Sequence, residues 1–413
     1  MPLIKPFPGL RPTADSAAEV LAPPYDVLSE AEARDRAEGR PWSFLHVSRA
    51  EIDLPPGTDP HDPAVYAKAA ENLERMRAEG VLQQDPAPCY YIYRLVMGDH
   101  TQVGLVAVVS VAAYEHNRVR KHEFTRPDKE DDRVRQIDAL DAQTGPVLLA
   151  YHSDPGVDSL LAVQTEAEPE LDVTADDGVR HSLWVVRDPG LITEIGQRFD
   201  AMPALYIADG HHRSAAAARV AAMRRQANPA HTGEEPYNYF LSVIFPHAQM
   251  KILDYNRVVR DLNGLAPERF LERIAQSFEV EPAEGPVRPV RTGEFGLYLP
   301  GQWYRLRIDP GLIPQDDPVR SLDVSLLSDR LLGPVLDITD LRRDRRIDFV
   351  GGIRGLEELA RRVDSGEMAA AFSLCPTPME ALMAVAEAGE VMPPKSTWFE
   401  PKLADGLVSH LLR

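Results

Sequence analysis

Apolar and polar positions along this 413-residue chain recur with two different periods, and each change of period marks an element. In PAVYAKAAENLERMRAEGVL, Val65, Ala69, Leu73 and Met76 fall at helical spacing with Gly80 near the end, which predicts a surface helix. CYYIYRLVM and TQVGLVAVVSVAAY are rich in β-branched and aromatic residues and are separated by GDH, a hairpin signal. PVLLAYHSD, HSLWVVRD, ALYIA, NYFLSVIFP and MKILDYNRVV read as further strands. The acidic run between the first two of these reads as helix and loop, and SAAAARVAAMRRQ as a helix. Up to residue 60, prolines and short apolar pieces such as APPYDVLS and PWSFLHVSR predict extended segments and turns. From about residue 261 the pattern changes: a helix in ERFLERIAQSFEVE, strands EFGLYLP and QWYRLRID, then helices around SLLSDRLL and RGLEELARRVD. No internal repeat or low-complexity tract interrupts this order.

A chain of this length buries a sizeable core and divides into two or three units. Cys89 and Cys375 are the only cysteines and have no CxxC partner, so they read as reduced thiols rather than as redox or structural pairs. A formal net charge of -19 excludes general adhesion to nucleic acid, which needs clustered Lys and Arg, but leaves room for small anions in a local basic pocket. MPLIKPFPGLRP has neither the basic segment nor the apolar run of a secretory leader. No stretch approaches the roughly 20 apolar residues that span a bilayer. The expectation is a soluble, cytoplasmic protein with a small-molecule substrate and no membrane partner, the homo-oligomeric state being left open.

The chemistry concentrates in ALYIADGHHRSAAAARV, where a strand ends in a glycine turn and feeds a helix. Such a turn leaves the first helical N–H groups pointing at whatever lies above it, which favours an anion. Gly210 permits close backbone approach, Asp209 can cap the helix, Arg213 can place a planar fork on a phosphate, and His211 and His212 can donate or move protons. A cap followed by surface histidines is the plainer account, but five such residues in succession favour a phosphate or active-site loop. KHEFTRPDKEDDRVR mixes Lys121, His122, Glu123, Thr125, Arg126, Lys129, Asp132 and Arg133, cations to neutralise phosphate oxygens and carboxylates to bind magnesium or orient a hydroxyl. Its plainer account is a solvated, salt-bridged loop. Asp26 in PPYDV is either a carboxylate facing a cleft or an Asx cap for the following SEAEAR helix. In PPKSTWFEPK, Trp398 and Phe399 read as core-fillers, while Lys395, Ser396 and Thr397 offer an ammonium and two hydroxyls to a pocket.

DGHHRSAAAARV, together with APPYDVLS at 22–29, KHEFTRPDKEDDRVRQIDAL at 121–140 and MPPKSTWFEPKLADGLV at 392–408, resembles the motif set of a bacterial and archaeal family, domain of unknown function 1015. The likeness spans essentially the whole chain. That family in turn resembles the ParB and sulfiredoxin-like superfamily, in which a glycine, a histidine or arginine, and a further arginine open a helix and hold nucleotide phosphates; some members are free-serine kinases. The resemblance implies an α+β fold: a mixed-sheet nucleotide-binding core over residues 1–260, including the N-terminal helical segment, and an α+β unit over 261–413 whose last segment packs back on the core. It implies ATP or ADP with magnesium as cofactors, and phosphoryl transfer to the hydroxyl of a small metabolite, serine first among candidates. Cofactor contacts are then expected from Asp209, Gly210, His211, His212, Arg213, His122, Thr125, Arg126, Lys129, Arg133, Lys395, Ser396 and Thr397, and the catalytic base from Asp26, Glu123 or His212. One departure is MKILDYNRVV, where the family pattern often has Thr-His-Arg before the valine and this chain has Tyr255, Asn256 and Arg257, which bears on substrate identity. Two other classes compete. A non-enzymatic nucleotide-binding regulator of the ParB type is opposed by the acidic charge and by the want of a basic helix-turn-helix. A metal-dependent hydrolase using His122, Glu123, Asp209, His211 and His212 is opposed by the want of HExxH spacing.

Overall fold

Packing divides the chain into two units, Met1–Met250 with Pro401–Arg413, and Lys251–Glu400, in a computed structural model that describes residues 2–413. The first unit is organised by a nine-stranded sheet. The predicted hairpin forms between Tyr90–Met97 and His100–Ser110, closed at Met97↔His100. Gly98, at φ 60°, supplies the left-handed turn conformation. Tyr239–Pro246 lies antiparallel to His100–Ser110 on one side and parallel to Val147–Tyr151 on the other. All eight of its residues are therefore buried, as its unbroken apolar run requires. Leu205–Asp209 continues antiparallel to Val147–Tyr151, and Val119–Arg120 runs parallel at the edge. Arg180–Val186 and Leu171–Thr174 extend the other side. Mixed pairing with helices packed around it gives the expected α+β class.

Helix Pro63–Ala78 begins with Asp62 capping the Ala64 N–H and a proline in its first turn. It buries Val65, Ala69, Leu73 and Met76, the positions its periodicity marks, in a cluster with Phe44, Leu45 and Val47. Helices Pro127–Leu140 and His211–Ala227 meet through Val134, Ile137, Ala216 and Val220, with Leu412 completing the cluster. Ala216, small at the contact, lets the two backbones approach, and this packing sets the 121–126 segment beside the start of the second helix. The acidic run after Tyr151 is helix Pro155–Gln164 followed by a strand, Leu171–Thr174, rather than helix and loop. Leu171 and Val173 are buried while Asp172 and Thr174 are exposed, a period of two that the surrounding acids obscure.

The second unit carries a six-stranded antiparallel sheet in the order Phe278–Ala283, Gln302–Ile308, Glu294–Leu299, Ala370–Leu374, Tyr255–Val259, Ile347–Gly351. Helix Gly355–Asp364 packs Leu356, Leu359 and Val363 against Val258, Tyr298 and Ala371. Two expectations are corrected here. The helix of ERFLERIAQSFEVE ends at Ile274, and FEVE is strand, because Phe278 is buried beside the exposed Glu279 and pairs with Ile308. MKILDYNRVV is two strands broken at Asp254, the first pairing with Trp398–Glu400 and the second entering the sheet. Among the described residues no helix is long and apolar enough to cross a membrane.

Candidate functional site

The strand that leads into the glycine turn does not end regularly. Ile207 stands opposite Leu149 but Asp209 opposite Leu148, an irregularity that re-aims the last residue of the strand. Gly210 follows at φ 100° as the N-terminal boundary of helix His211–Ala227, which has no side-chain cap. A side chain at that φ would be strained, so glycine is required, and the first-turn N–H groups are left for an external acceptor. The cap expected from Asp209 is not made. Its carboxylate accepts from the Gly210 N–H, at the helix boundary, and its Oδ2 from Arg213 Nη2 at 3.2 Å. A Cβ on Gly210 would lie 3.0 Å from Arg213 Nε, so the glycine also lets the guanidinium fold back over the turn. Arg213 Nη1 donates to the Pro146 carbonyl at 2.6 Å, fixing the fork from two sides. Burial opposes the charge on both partners. For Asp209 the opposing pull of Arg213 and Lys402 wins and holds the carboxyl below its usual range; for Arg213 that of Asp209, Asp26, Tyr25 and Asp405 wins and raises the guanidinium further.

The second motif folds onto this turn. The His122 and His211 rings meet edge to face at 4.4 Å, and the His122 N–H donates to His211 Nε2 at 3.4 Å. Glu123 Oε2 lies 3.8 Å from His211 Nδ1, and the Arg126 N–H donates to His212 Nε2 at 3.0 Å. Burial pushes His122 down to about 4, and burial with the neighbouring His122 drives His211 well below its ordinary value. Both rings are neutral at pH 7 and bring no positive charge to anything bound; the His211 lone pair on Nε2 is already taken by the His122 N–H, which leaves its Nδ1 toward Glu123. His122 Nδ1 is buried with no partner. Thr125 donates its hydroxyl to Glu130, which also pairs with Arg219 at 3.3 Å. Arg126 is exposed and pairs with Asp128 at 2.7 Å, and Lys129 is exposed. Arg133 stacks 4.0 Å over the Tyr25 ring and donates to Asp132 at 2.6 and 2.9 Å.

Asp26 is exposed and bears electrostatically on both Arg133 and Arg213. It does not cap the following helix: Glu30–Ala37 is capped by Ser29, with Glu32 returning the bond in a capping box. Two residues that sequence reasoning passed over complete the cluster. Tyr25 underlies Arg133, and its N–H donates to the carboxyl of Asp405, which is 2 % exposed. Burial pushes Asp405 up to about 7 although Arg213 and Arg133 pull the other way. The available signal was position: both residues lie inside the motif stretches APPYDVLS and LADGLV.

The family model described as "Protein of unknown function (DUF1015)" matches residues 4–325, which include the glycine turn and the loop folded onto it. The chain belongs to this family. Among solved structures, a conserved hypothetical protein from Pyrococcus furiosus is 16% identical, with 73% of this chain and 93% of that chain covered and a TM-score of 0.35. A free serine kinase in complex with AMP is 16% identical, with 71% and 86% covered and a TM-score of 0.35. SbnI with a C-terminal truncation, from Staphylococcus aureus, is 9% identical, with 73% and 85% covered and a TM-score of 0.37. A search of curated proteins finds no match.

In this DUF1015 protein, Lys395, Ser396, Thr397, Lys402 and Asp405 lie beyond the span of the family match. Lys395, Ser396 and Thr397 belong to the second unit. Lys395 has a left-handed backbone at φ 60° and its Nζ lies 5.6 Å from the Tyr255 ring centre. The Ser396 hydroxyl donates to the Pro393 carbonyl at 2.6 Å, and the Ser396 carbonyl accepts from Thr377 at 2.9 Å, so Ser396 is engaged in its own turn. Phe399 is buried and Trp398 packs edge-on to Tyr255 at 5.2 Å, the core-filling role expected of the pair.

Proposed function

We propose that this DUF1015 protein is a nucleotide-dependent phosphotransferase that phosphorylates the hydroxyl of a small metabolite, with serine the first candidate and ATP or ADP the donor. The motif resemblance to ParB and sulfiredoxin-like proteins, free-serine kinases among them, agrees with this reading. The observation that carries it is the uncapped helix start behind Gly210, with Arg213 folded over the turn and braced by Asp209 and Pro146. Backbone N–H groups and a fixed guanidinium are what a phosphate needs, and both are held before any ligand arrives. Arg126 and Lys129, exposed beside His212, add charge that offsets the negative charge developing on the leaving oxygen. Of the three bases expected, His212 is engaged through Nε2 by Arg126 and Glu123 lies toward His211, whereas Asp26 stands by the arginine pair.

Magnesium fits the donor chemistry of this cluster, since it takes oxygen ligands and one or two carboxylates besides the phosphates; Asp209 and Asp26 would hold it. Bound there, it would neutralise phosphate charge. A cytoplasmic setting, in which the free thiols Cys89 and Cys375 stay reduced, goes with the reading. The test is calorimetry with ATP and ADP, then a screen of hydroxy compounds with labelled nucleotide. Binding followed by labelled serine, or another labelled hydroxy compound, is expected; absence of nucleotide binding ends the reading.

One observation favours a second reading, the metal-dependent hydrolase. His122, Glu123 and His211 offer ligand atoms within 4.8 Å of one another, although Asp209 and His212 are not part of this group. Two imidazoles and a carboxylate suit zinc better than magnesium. Metal analysis of protein purified without added metal separates the two, stoichiometric zinc favouring hydrolysis.

A further inference from the structure

A cavity of about 30 Å³ lies against Arg213, lined also by Tyr25, Ser48, Arg133, Gly145 and Asp405. Two polar atoms of its lining have no partner among the described residues: Ser48 Oγ and Asp405 Oδ1, on residues that are 7 % and 2 % exposed. The amides in the lining are satisfied, Gln143 by Tyr239 and Leu241 and Gln136 by Val47. Buried polar atoms are seldom left unpaired, and a carboxylate oxygen in that state calls for a hydrogen-bond donor. The space admits only one or two heavy atoms. An ammonium would meet Arg133 and Arg213, both of which bear on Asp405, and a methyl group would satisfy neither orphan. A hydroxyl donates to Asp405, accepts from Ser48 and carries no charge.

We propose that this cavity is the acceptor subsite: it takes the hydroxyl end of a small alcohol, and Asp405, rather than Asp26, receives the hydroxyl proton. The assignment rests on the phosphotransferase reading. As the acceptor oxygen forms its bond to phosphorus, the bond from phosphorus to the nucleotide's bridging oxygen breaks and its electron pair stays with the nucleotide. The proton passes to Asp405 Oδ1. Tyr25, Asp26, Arg133 and Arg213 are the titratable groups that bear on Asp405, and their balance with burial leaves it at about 7, where it is ionised often enough to accept a proton and basic enough to keep it. The size of the cavity restricts acceptors to a hydroxyl on a slender arm, such as the hydroxymethyl group of serine or glycerate.

The test compares binding of L-serine with L-alanine, and of D-glycerate with D-lactate, to protein saturated with a non-hydrolysable ATP analogue. Each pair differs only in the primary hydroxyl. At least one hydroxymethyl compound is expected to bind tenfold or more tightly than its partner. Asp405→Asn should erase that preference while analogue affinity changes less than threefold. Gly145→Ala provides an independent variant: its Cβ would lie 3.4 Å from Arg213 Cδ and 3.7 Å from Asp405 Oδ1, ordinary contacts that fill the cavity without displacing backbone. It too should lose the preference, with its thermal midpoint kept. If neither pair differs in the wild type, or both variants keep the preference, the subsite is wrong. If the preference depends on Asp405 but no labelled phosphate moves, the cavity assignment stands and the transfer reading falls.

Discussion

Arg213 donates to a carboxylate on the strand and to a carbonyl on a neighbouring loop, so its position is fixed from two sides within the protein. Arg213→Ala should lose about 1.5 to 3 kcal/mol of nucleotide binding, roughly tenfold or more in affinity by calorimetry. An unchanged affinity would remove Arg213 from the site. Asp405 gives a stability prediction of definite sign. Its carboxyl is raised to about 7 in the folded protein, so the folded state binds the extra proton and stability falls as pH rises from about 4 to about 7. The loss approaches about 4 kcal/mol. Urea unfolding at pH 5 and pH 8 should show Asp405→Asn gaining on the wild type at the higher pH; equal differences at both would mean that Asp405 titrates normally. At this scale the motifs marked residues that the fold brings together, such as His122 and His211, and were silent about how they pair. DGHHR marked a glycine turn at a helix start, but whether Asp209 caps the helix or holds Arg213 depends on the irregular pairing of Asp209 with Leu148, a partner distant in sequence.

The strand, turn and helix around residue 210 act as one element, because the left-handed φ of 100° at Gly210 lets the helix start sharply while Arg213 closes over it. Gly210→Ala should cost about 1 to 3 kcal/mol in folding stability and, by displacing the guanidinium, weaken nucleotide binding at least as much as loss of Arg213 does. Denaturant titration and calorimetry on the one variant check both, and full nucleotide affinity would refute the coupling. Elements with strong periodicity were legible: the 63–78 helix with its four buried positions and the hairpin around Gly98 needed no tertiary information. FEVE was lost to the preceding helix because four residues cannot establish a period of two against a longer helical pattern. Asp254 gave no warning of the break it makes, since that break exists only because the flanking strands pair with different partners, Trp398–Glu400 and the six-stranded sheet.

Across the whole molecule, histidine burial sets the acid limit. His122, His181 and His410 are each pushed down to about 4 by burial. The unfolded chain therefore binds more protons between about pH 6.5 and 4, and each ring withdraws up to about 3 kcal/mol as pH falls through that window. Unfolding free energy should rise between pH 4.5 and 6.5, against the opposing trend of Asp405, and His181→Asn should flatten the rise; a flat wild-type profile would contradict it. The division of the chain also has a consequence in time. The first unit is left after Met250 and rejoined only at Pro401, and the returning segment supplies Asp405 and the Leu412 that completes the Val134, Ile137, Ala216 and Val220 cluster. During synthesis the glycine turn emerges from the ribosome long before Asp405, which bears on Arg213 in the folded protein. A nascent chain stopped within the second unit would carry DGHHR without Asp405 and with an apolar seam uncovered. Such a chain would lack the proton acceptor proposed above and would leave that seam open to proteases until residues 401–413 are made.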